Sequence, residues 1–337
     1  MVMKLKELVD GVKKVVVIQA ENPDGDSLGS SVALEQILVD LGLEVSMHCI
    51  VQIPTYLRHI AGWDRVAQEF DFDADAAIIV DTVSSALLKR TLEIPGVSDF
   101  LSKHPVLVID HHSLPEPDFN FDAQYVIDNG AAAAGEIIFG LARKGGLAIN
   151  AQAATSLFIA IQADTLGLTT ESTTAESYEI SAELIKLGAD PAKIETARRE
   201  LMKKSPRILE YKGKLIERIT YHCDGRLAVV RIPFEEIEEF SAEYNPTMLV
   251  LDEMRLVTGV DVACGIKTYP DGKFTAKFRT NLPVADTIAG YFGGGGHAYA
   301  SGFKVFDDDF EKVENEMIGA IDKTLISYDR ENDAEVS

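Results

Sequence analysis

Apolar residues in the first part of the chain gather into short unbroken runs, in KKVVVIQA, EVSMHCIV, AAIIVDT and PVLVIDHH, separated by helix-length stretches such as LGSSVALEQILVDLGL. Short continuous runs fit strands buried on both faces, and the stretches between them fit crossover helices. The alternation predicts an α/β domain, a mostly parallel sheet with helices on both faces. From about residue 129 the pattern becomes helical, in AAAAGEIIFGLARK, AQAATSLFIAIQADT and TTAESYEISAELIKLG, the last closed by Gly188 as a C-cap. Residues 191–221, rich in Lys, Arg and Glu with helical periodicity and no apolar run, read as a connecting helix. Beyond them lie the strand-like RLAVVRIP, a helix around PFEEIEEFSAEY, and the hairpin VDVACGIKTYPDGKFTAKFRTN with Pro270, Asp271 and Gly272 at its turn. A helix from about Pro283, the glycine-rich YFGGGGHAYASGF and a closing helix complete a smaller mixed α/β domain. The expected division is residues 1–190, a linker over 191–221, and residues 222–330.

A chain of 337 residues with 46% hydrophobic and 26% charged residues can bury two cores, which excludes a disordered or fibrous protein. No apolar run approaches the ~20 residues that span a bilayer, and the N-terminal VVVIQA runs straight into polar residues rather than a signal-peptide core. A cytoplasmic location is expected. Cys49, Cys223 and Cys264 have no paired spacing, so neither a disulfide framework nor a thiolate zinc site is indicated. The 54 acidic residues against 32 basic ones leave a net charge of −22, which disfavours long duplex nucleic acid and membrane surfaces.

Charge becomes informative where it collects. Every predicted strand of the first domain except EVSMHCIV ends in acids or imidazoles: Asp24 and Asp26, Asp81, and Asp110, His111 and His112. In open α/β sheets ligands sit at the carboxyl ends of strands. Each residue also has an ordinary reading. Pro-Asp-Gly-Asp is a good turn with an Asp N-cap, and Asp81 could cap the next helix. Two histidines and an acid beside a buried strand are costlier to leave without partners, and Asp164, at the end of a very apolar helix, needs a cation or donors. Carboxylates and imidazoles on one rim call for neutralising cations. Hard oxygen donors with an imidazole suit Mn²⁺ or Mg²⁺, one ion or two, and a paired site can serve displacement at phosphorus. In the second domain the GGGGH segment, with Gly295, Gly296 and His297, offers backbone amides, and Arg279 could grip a phosphate. Plain loop glycines and an exposed strand arginine are their ordinary readings.

Together these residues resemble the DHH phosphoesterases, named for the triplet present here as Asp110-His111-His112. NPDGDSLGS, IIVDT, VIDHH and QADT resemble the family's N-terminal motifs in order, and FRTN with GGGGHAYASGF resembles its associated C-terminal domain. The resemblance covers nearly the whole chain, and the two-domain size is similar to the nanoRNase and pAp-phosphatase branch. It implies a hydrolase for phosphoester bonds, a 3′–5′ exonuclease on short oligonucleotides and/or a phosphatase for pAp, working in a cleft between two domains, with room for a homodimer. By the same resemblance Asp81 bridges two ions, Asp24 holds the first, and Asp26, His111 and Asp164 hold the second. Asp110 orients His111, His112 serves the substrate phosphate or proton traffic, and Arg279, Gly295, Gly296 and His297 hold substrate. One departure is plain: the family's first motif opens with a histidine four residues before its first aspartate, and Ala20 stands there, followed by Glu21. A methyl group cannot ligate, so a degenerate nucleotide-binding member is the alternative reading, with an inorganic pyrophosphatase behind it. A softer difference is AAAAGE at 131–136, where relatives often carry hydroxyls.

Overall fold

The computed structural model describes residue 5, residues 8–112 and residues 117–335, with residues 333–335 and His297 described by backbone alone. The chain divides into two compact units, Met1–Lys203 and Lys204–Ser337.

The first unit runs β1 (Lys14–Ile18), α1 (Gly25–Asp40), β2 (Glu44–His48), β3 (Val66–Ala67), β4 (Ala76–Val80), α2 (Lys89–Leu92), α3 (Val97–Lys103), β5 (Val106–Asp110), β6 (Gln124–Ile127), α4 (Ala134–Gly145), α5 (Ala151–Asp164), α6 (Ala175–Lys186) and α7 (Pro191–Met202). Its six strands are parallel in the order β3-β2-β1-β4-β5-β6. Alternate side chains of each strand enter different cores. Val15, Val17, Ile78 and Ile109 pack under α1, α4 and α5, whereas Val16, Ile18, Ile79 and Val108 pack under α3. Burial on both faces is why these strands carry unbroken apolar runs rather than polar alternation. The order reverses at β1, whose neighbours are β2 and β4. That switch point leaves a crevice at the carboxyl ends of β1 and β4, the place such sheets offer a ligand. β3 and β6, too short or too polar to stand out in the sequence, close the two edges.

The second unit runs α8 (Pro206–Glu217), β7 (Thr220–His222), β8 (Leu227–Ile232), α9 (Phe234–Phe240), α10 (Leu251–Arg255), β9 (Val262–Thr268), β10 (Lys273–Thr280), α11 (Ala285–Gly290), β11 (Gly295–His297), β12 (Ala300–Phe306) and α12 (Phe310–Glu335). Its six-stranded sheet has the order β11-β12-β10-β9-β8-β7, mixed because β8 and β9 are parallel and the other pairs antiparallel. α12 buries Val313, Met317, Ile321 and Leu325, a four-residue repeat that lays one stripe on the sheet. The segment 191–221 holds two helices rather than one, α7 in the first unit and α8 in the second. Among the described residues no helix is long and apolar enough to cross a membrane.

Candidate metal centre and active site

The carboxyl ends of β1, β4 and β5 each turn into a loop that carries acids. After β1 the chain enters α1 at Asp24, which caps the helix: its Oδ1 accepts the Ser27 amide at 2.9 Å, and Ser27 Oγ accepts the Asp24 amide in return. Asp81 follows β4 with φ of +61°, a left-handed conformation that Asp tolerates better than most residues. β5 ends on Asp110, which is fully buried, and runs into His111 and His112. Asp164 is the last residue of α5. A carboxylate at a helix C-terminus meets the negative end of the macrodipole, so Asp164 needs positive charge nearby.

Two glycines bring Asp164 to the rim. A Cβ on Gly25 would lie 2.4 Å from Ala163 Cβ, and one on Gly29 would lie 2.6 Å from the Ser156 carbonyl oxygen. Glycine at both positions lets α1 and α5 approach backbone to backbone. Asp26, in the first turn of α1, is wholly buried and faces the start of α4: its carboxylate accepts the amides of Ala134 at 2.6 Å and Gly135 at 3.1 Å and the Ser30 hydroxyl at 2.9 Å. The N-cap residue of α4 is Ala133, without a capping side chain, so an acid from a distant segment supplies the acceptor.

These residues converge on His111. Its Nε2 lies 3.2 Å from Asp164, 3.5 Å from Asp81 and 3.6 Å from Asp26. Asp26, His111 and Asp164 present one donor atom each within 4.8 Å of one another, and so do Asp81, Asp110, His111 and His112. Buried Asp81 Oδ1 and His111 Nε2 have no hydrogen-bond partner. Unpartnered buried polar atoms facing one point are costly unless a ligand fills it. Oxygen donors with one imidazole suit a hard or borderline divalent cation, and the donor set fits one.

The imidazoles are held differently from what the resemblance implies. Asp110 Oδ1 meets the Nδ1 of His112 at 2.8 Å and accepts the backbone amides of both histidines, whereas the Nδ1 of His111 faces the Ala131 carbonyl at 3.3 Å. The ring that Asp110 orients is thus that of His112, and a backbone carbonyl sets the tautomer of His111. Nothing in the sequence marks Ala131 for this, because a main-chain oxygen has no residue signature.

The electrostatics show a centre short of positive charge. Burial, then the nearby Asp164 carboxylate, pushes Asp26 up to about 7. Burial and the Asp26 charge hold Asp81 well above the usual carboxylate range. Burial alone would lower His111, but the Asp164 and Asp81 carboxylates that face its Nε2 outweigh it and lift the imidazole to about 11. His112 is raised chiefly by its bond to Asp110. Protons here stand where a cation belongs.

Ala20 is buried, and Glu21 is committed elsewhere: its carboxylate accepts the backbone amide of Arg90 at α2, and its own amide binds the Leu87 carbonyl. Asp24 belongs to neither donor group and is engaged as a cap. In the second unit β12 pairs with β10 and β11, and both Arg279 and residue 297 stand opposite Ala300, in one register row. Arg279 Nη1 donates to the Phe278 carbonyl at 3.0 Å. A Cβ on Gly296, where φ is +145°, would meet the Ala300 carbonyl at 2.6 Å, so that glycine serves close strand packing, and Gly295 is open. The side chain of His297 lies outside the described residues.

Among proteins of known type, a bifunctional oligoribonuclease and PAP phosphatase NrnA of Thermus thermophilus is 26% identical over 305 residues, 90% of this chain and 88% of its own length. A probable bifunctional oligoribonuclease and PAP phosphatase NrnA of Streptococcus mutans is 25% identical over 306 residues, 90% of this chain and 92% of its own. The crystal structure of an exopolyphosphatase-related protein of Bacteroides fragilis superposes with a TM-score of 0.81 at 21% identity, covering 97% of this chain and 96% of that one, a likeness of fold. Residues 14–161 match the DHH family, N-terminal domain. That span carries every one of the converging side chains except Asp164, which follows three residues later, and over it the chain is similar to the DHH family.

Proposed function

We propose that this chain is a metal-dependent phosphoesterase that hydrolyses short oligonucleotides from the 3′ end, pAp-type nucleotides, or both. The observation that carries the reading is the convergence of buried Asp26 and Asp81 and partly exposed Asp164 on His111 Nε2, with Asp81 Oδ1 and Nε2 unpartnered. Mn²⁺ or Mg²⁺, one ion or two, would be held by Asp24, Asp26, Asp81, His111 and Asp164, and when bound supplies Lewis acidity and a lowered pKa for water. Asp24 keeps an oxygen for that role besides the one that caps α1. His112, half-exposed and with its pKa raised by its bond to Asp110, donates a proton to the leaving oxygen of the phosphoester. Arg279, Gly295, Gly296 and His297 hold the substrate's terminal phosphate. The relatives' named activities on oligoribonucleotides and PAP support this substrate class.

The test is hydrolysis of a ribodinucleotide, pAp and pyrophosphate with Mn²⁺, Mg²⁺ and Co²⁺, beside Asp81→Asn. We expect turnover of a dinucleotide or pAp, lost by at least a hundredfold in the variant; no turnover of any of the three substrates, or full activity of Asp81→Asn, removes the proposal. A second reading is a degenerate member that binds nucleotide without turnover, favoured by Ala20 and by the commitment of Glu21 to Arg90. Calorimetric binding of pAp without hydrolysis would select it, and turnover of pyrophosphate alone would select the pyrophosphatase reading.

A further inference from the structure

The segment directly after Asp164 is strained and apolar at once. Leu166 has φ of +46° and Leu168 φ of +65°, conformations in which leucine is disfavoured, and Leu166 is 74% exposed. The turn is held from several sides. Thr165 Oγ1 donates to the Ile161 carbonyl at 2.6 Å and accepts the Leu168 amide at 2.9 Å, and the Tyr178 hydroxyl donates to the Leu168 carbonyl at 2.8 Å. An over-determined backbone that forces a leucine into solvent beside a cluster of site residues stores strain where function is the usual reason.

A second apolar side chain stands on the neighbouring loop. Tyr56 lies in a single turn of helix whose Leu57 is buried in the core; the residue is 61% exposed, and its hydroxyl donates to the Pro23 carbonyl at 3.3 Å, one residue before Asp24. A Cβ on Gly25, the residue after Asp24, would lie 2.4 Å from Ala163 Cβ, so the turn that carries Leu166 leaves α5 beside the loop whose Pro23 carbonyl Tyr56 holds. Neither carries a charge for a phosphate. What they present is a flat aromatic face and a branched aliphatic one.

We propose that Tyr56 and Leu166 form an apolar seat for the base of the substrate nucleotide, a purine or pyrimidine ring, beside the carboxylates that handle its phosphate. The inference rests on the nucleotide reading above and adds the residues that recognise the base. Every base has a π-face, so such a seat favours nucleotides over base-free phosphates without selecting sequence.

The test compares affinities for adenosine 5′-monophosphate and ribose 5-phosphate by titration calorimetry with Mn²⁺ present. We expect Tyr56→Ala and Leu166→Gly each to lower the ratio of the two affinities about tenfold, the loss of one stacking or apolar contact, and Tyr56→Phe, which keeps the ring, to retain it. Glycine also relieves the left-handed strain, so the melting temperature of Leu166→Gly should be no lower than that of the parent. An unchanged ratio in both Tyr56→Ala and Leu166→Gly overturns the inference while leaving the nucleotide reading in place. Equal affinity of the parent protein for the two ligands removes that reading, and the base seat with it.

Discussion

His111 is the residue on which the centre turns. Three carboxylates from α1, the end of β4 and the end of α5 face one nitrogen, and without a metal the charge is balanced by protons. Asp26 is raised from 3.8 to about 7 and His111 from 6.5 to about 11. A raised pKa means that the folded state binds more protons than the unfolded one, so the stability these groups contribute is present at low pH and is lost as pH rises through their folded values. Metal-free protein should therefore lose stability from about pH 4 upwards, first through Asp26 and then through His111. A divalent ion replaces those protons, so the rise in melting temperature on adding Mn²⁺ should grow between pH 5 and pH 8. Melting curves in chelator and in Mn²⁺ across that range decide it; a metal increment that shrinks with pH would contradict the ligand set. Ala20 belongs to the same scale. The register of β1 on β4 ends by pairing Ile18 with Ile79, and Ala20 follows the one by two residues as Asp81 follows the other. Ala20→His should tighten Mn²⁺ binding about tenfold or more, on the scale of a lost or gained metal contact. An unchanged titration would mean that another group already serves that ion.

Between elements, the decisive contact is that of α1 with α5. Gly29 lets the Ser156 carbonyl come within 2.6 Å of where a methyl would sit. Gly29→Ala should cost about 1–3 kcal/mol and weaken metal binding, because α5 must retreat and take Asp164 with it. Gly140, inside α4, is the contrast: nothing lies within 4 Å of its virtual Cβ, so Gly140→Ala should stabilise by up to ~1 kcal/mol through helix propensity. Denaturant titrations of the two variants check both signs. If Gly29→Ala were neutral, close helix approach would not be what holds the centre together.

For the molecule as a whole the governing quantity is the net charge of −22. A protein that tracks a long polyanion loses affinity steeply with salt, whereas contact with one or two phosphates loses less than about tenfold between 50 and 200 mM. Dinucleotide affinity should follow the shallow law, and lengthening the oligonucleotide should not steepen it. A slope that grows with length, measured by fluorescence anisotropy, would reveal a basic track that the composition argues against. The acids and imidazoles belong to the first unit, and Arg279 with the glycine-rich β11 belongs to the second.

The apolar runs, their alternation with helices and the acids at the run ends determined the parallel sheet and the identity of the rim residues, because strand burial and strand-end position are local properties of the chain. The edge strands β3 and β6 escaped that reading, since a strand of two or four half-exposed residues leaves no periodic signal. The family resemblance also rests on local motifs, and the domain match over residues 14–161 agrees with it. What only the tertiary structure decided is which partner each polar group takes. Asp110 holds His112 and not His111, Ala131 offers its carbonyl to His111, Asp26 caps a helix more than a hundred residues away, and Glu21 turns to Arg90 rather than to the site of the missing imidazole. Those pairings join segments far apart along the chain, and they follow from how closely the helices pack and where each strand ends in space, which no local pattern records.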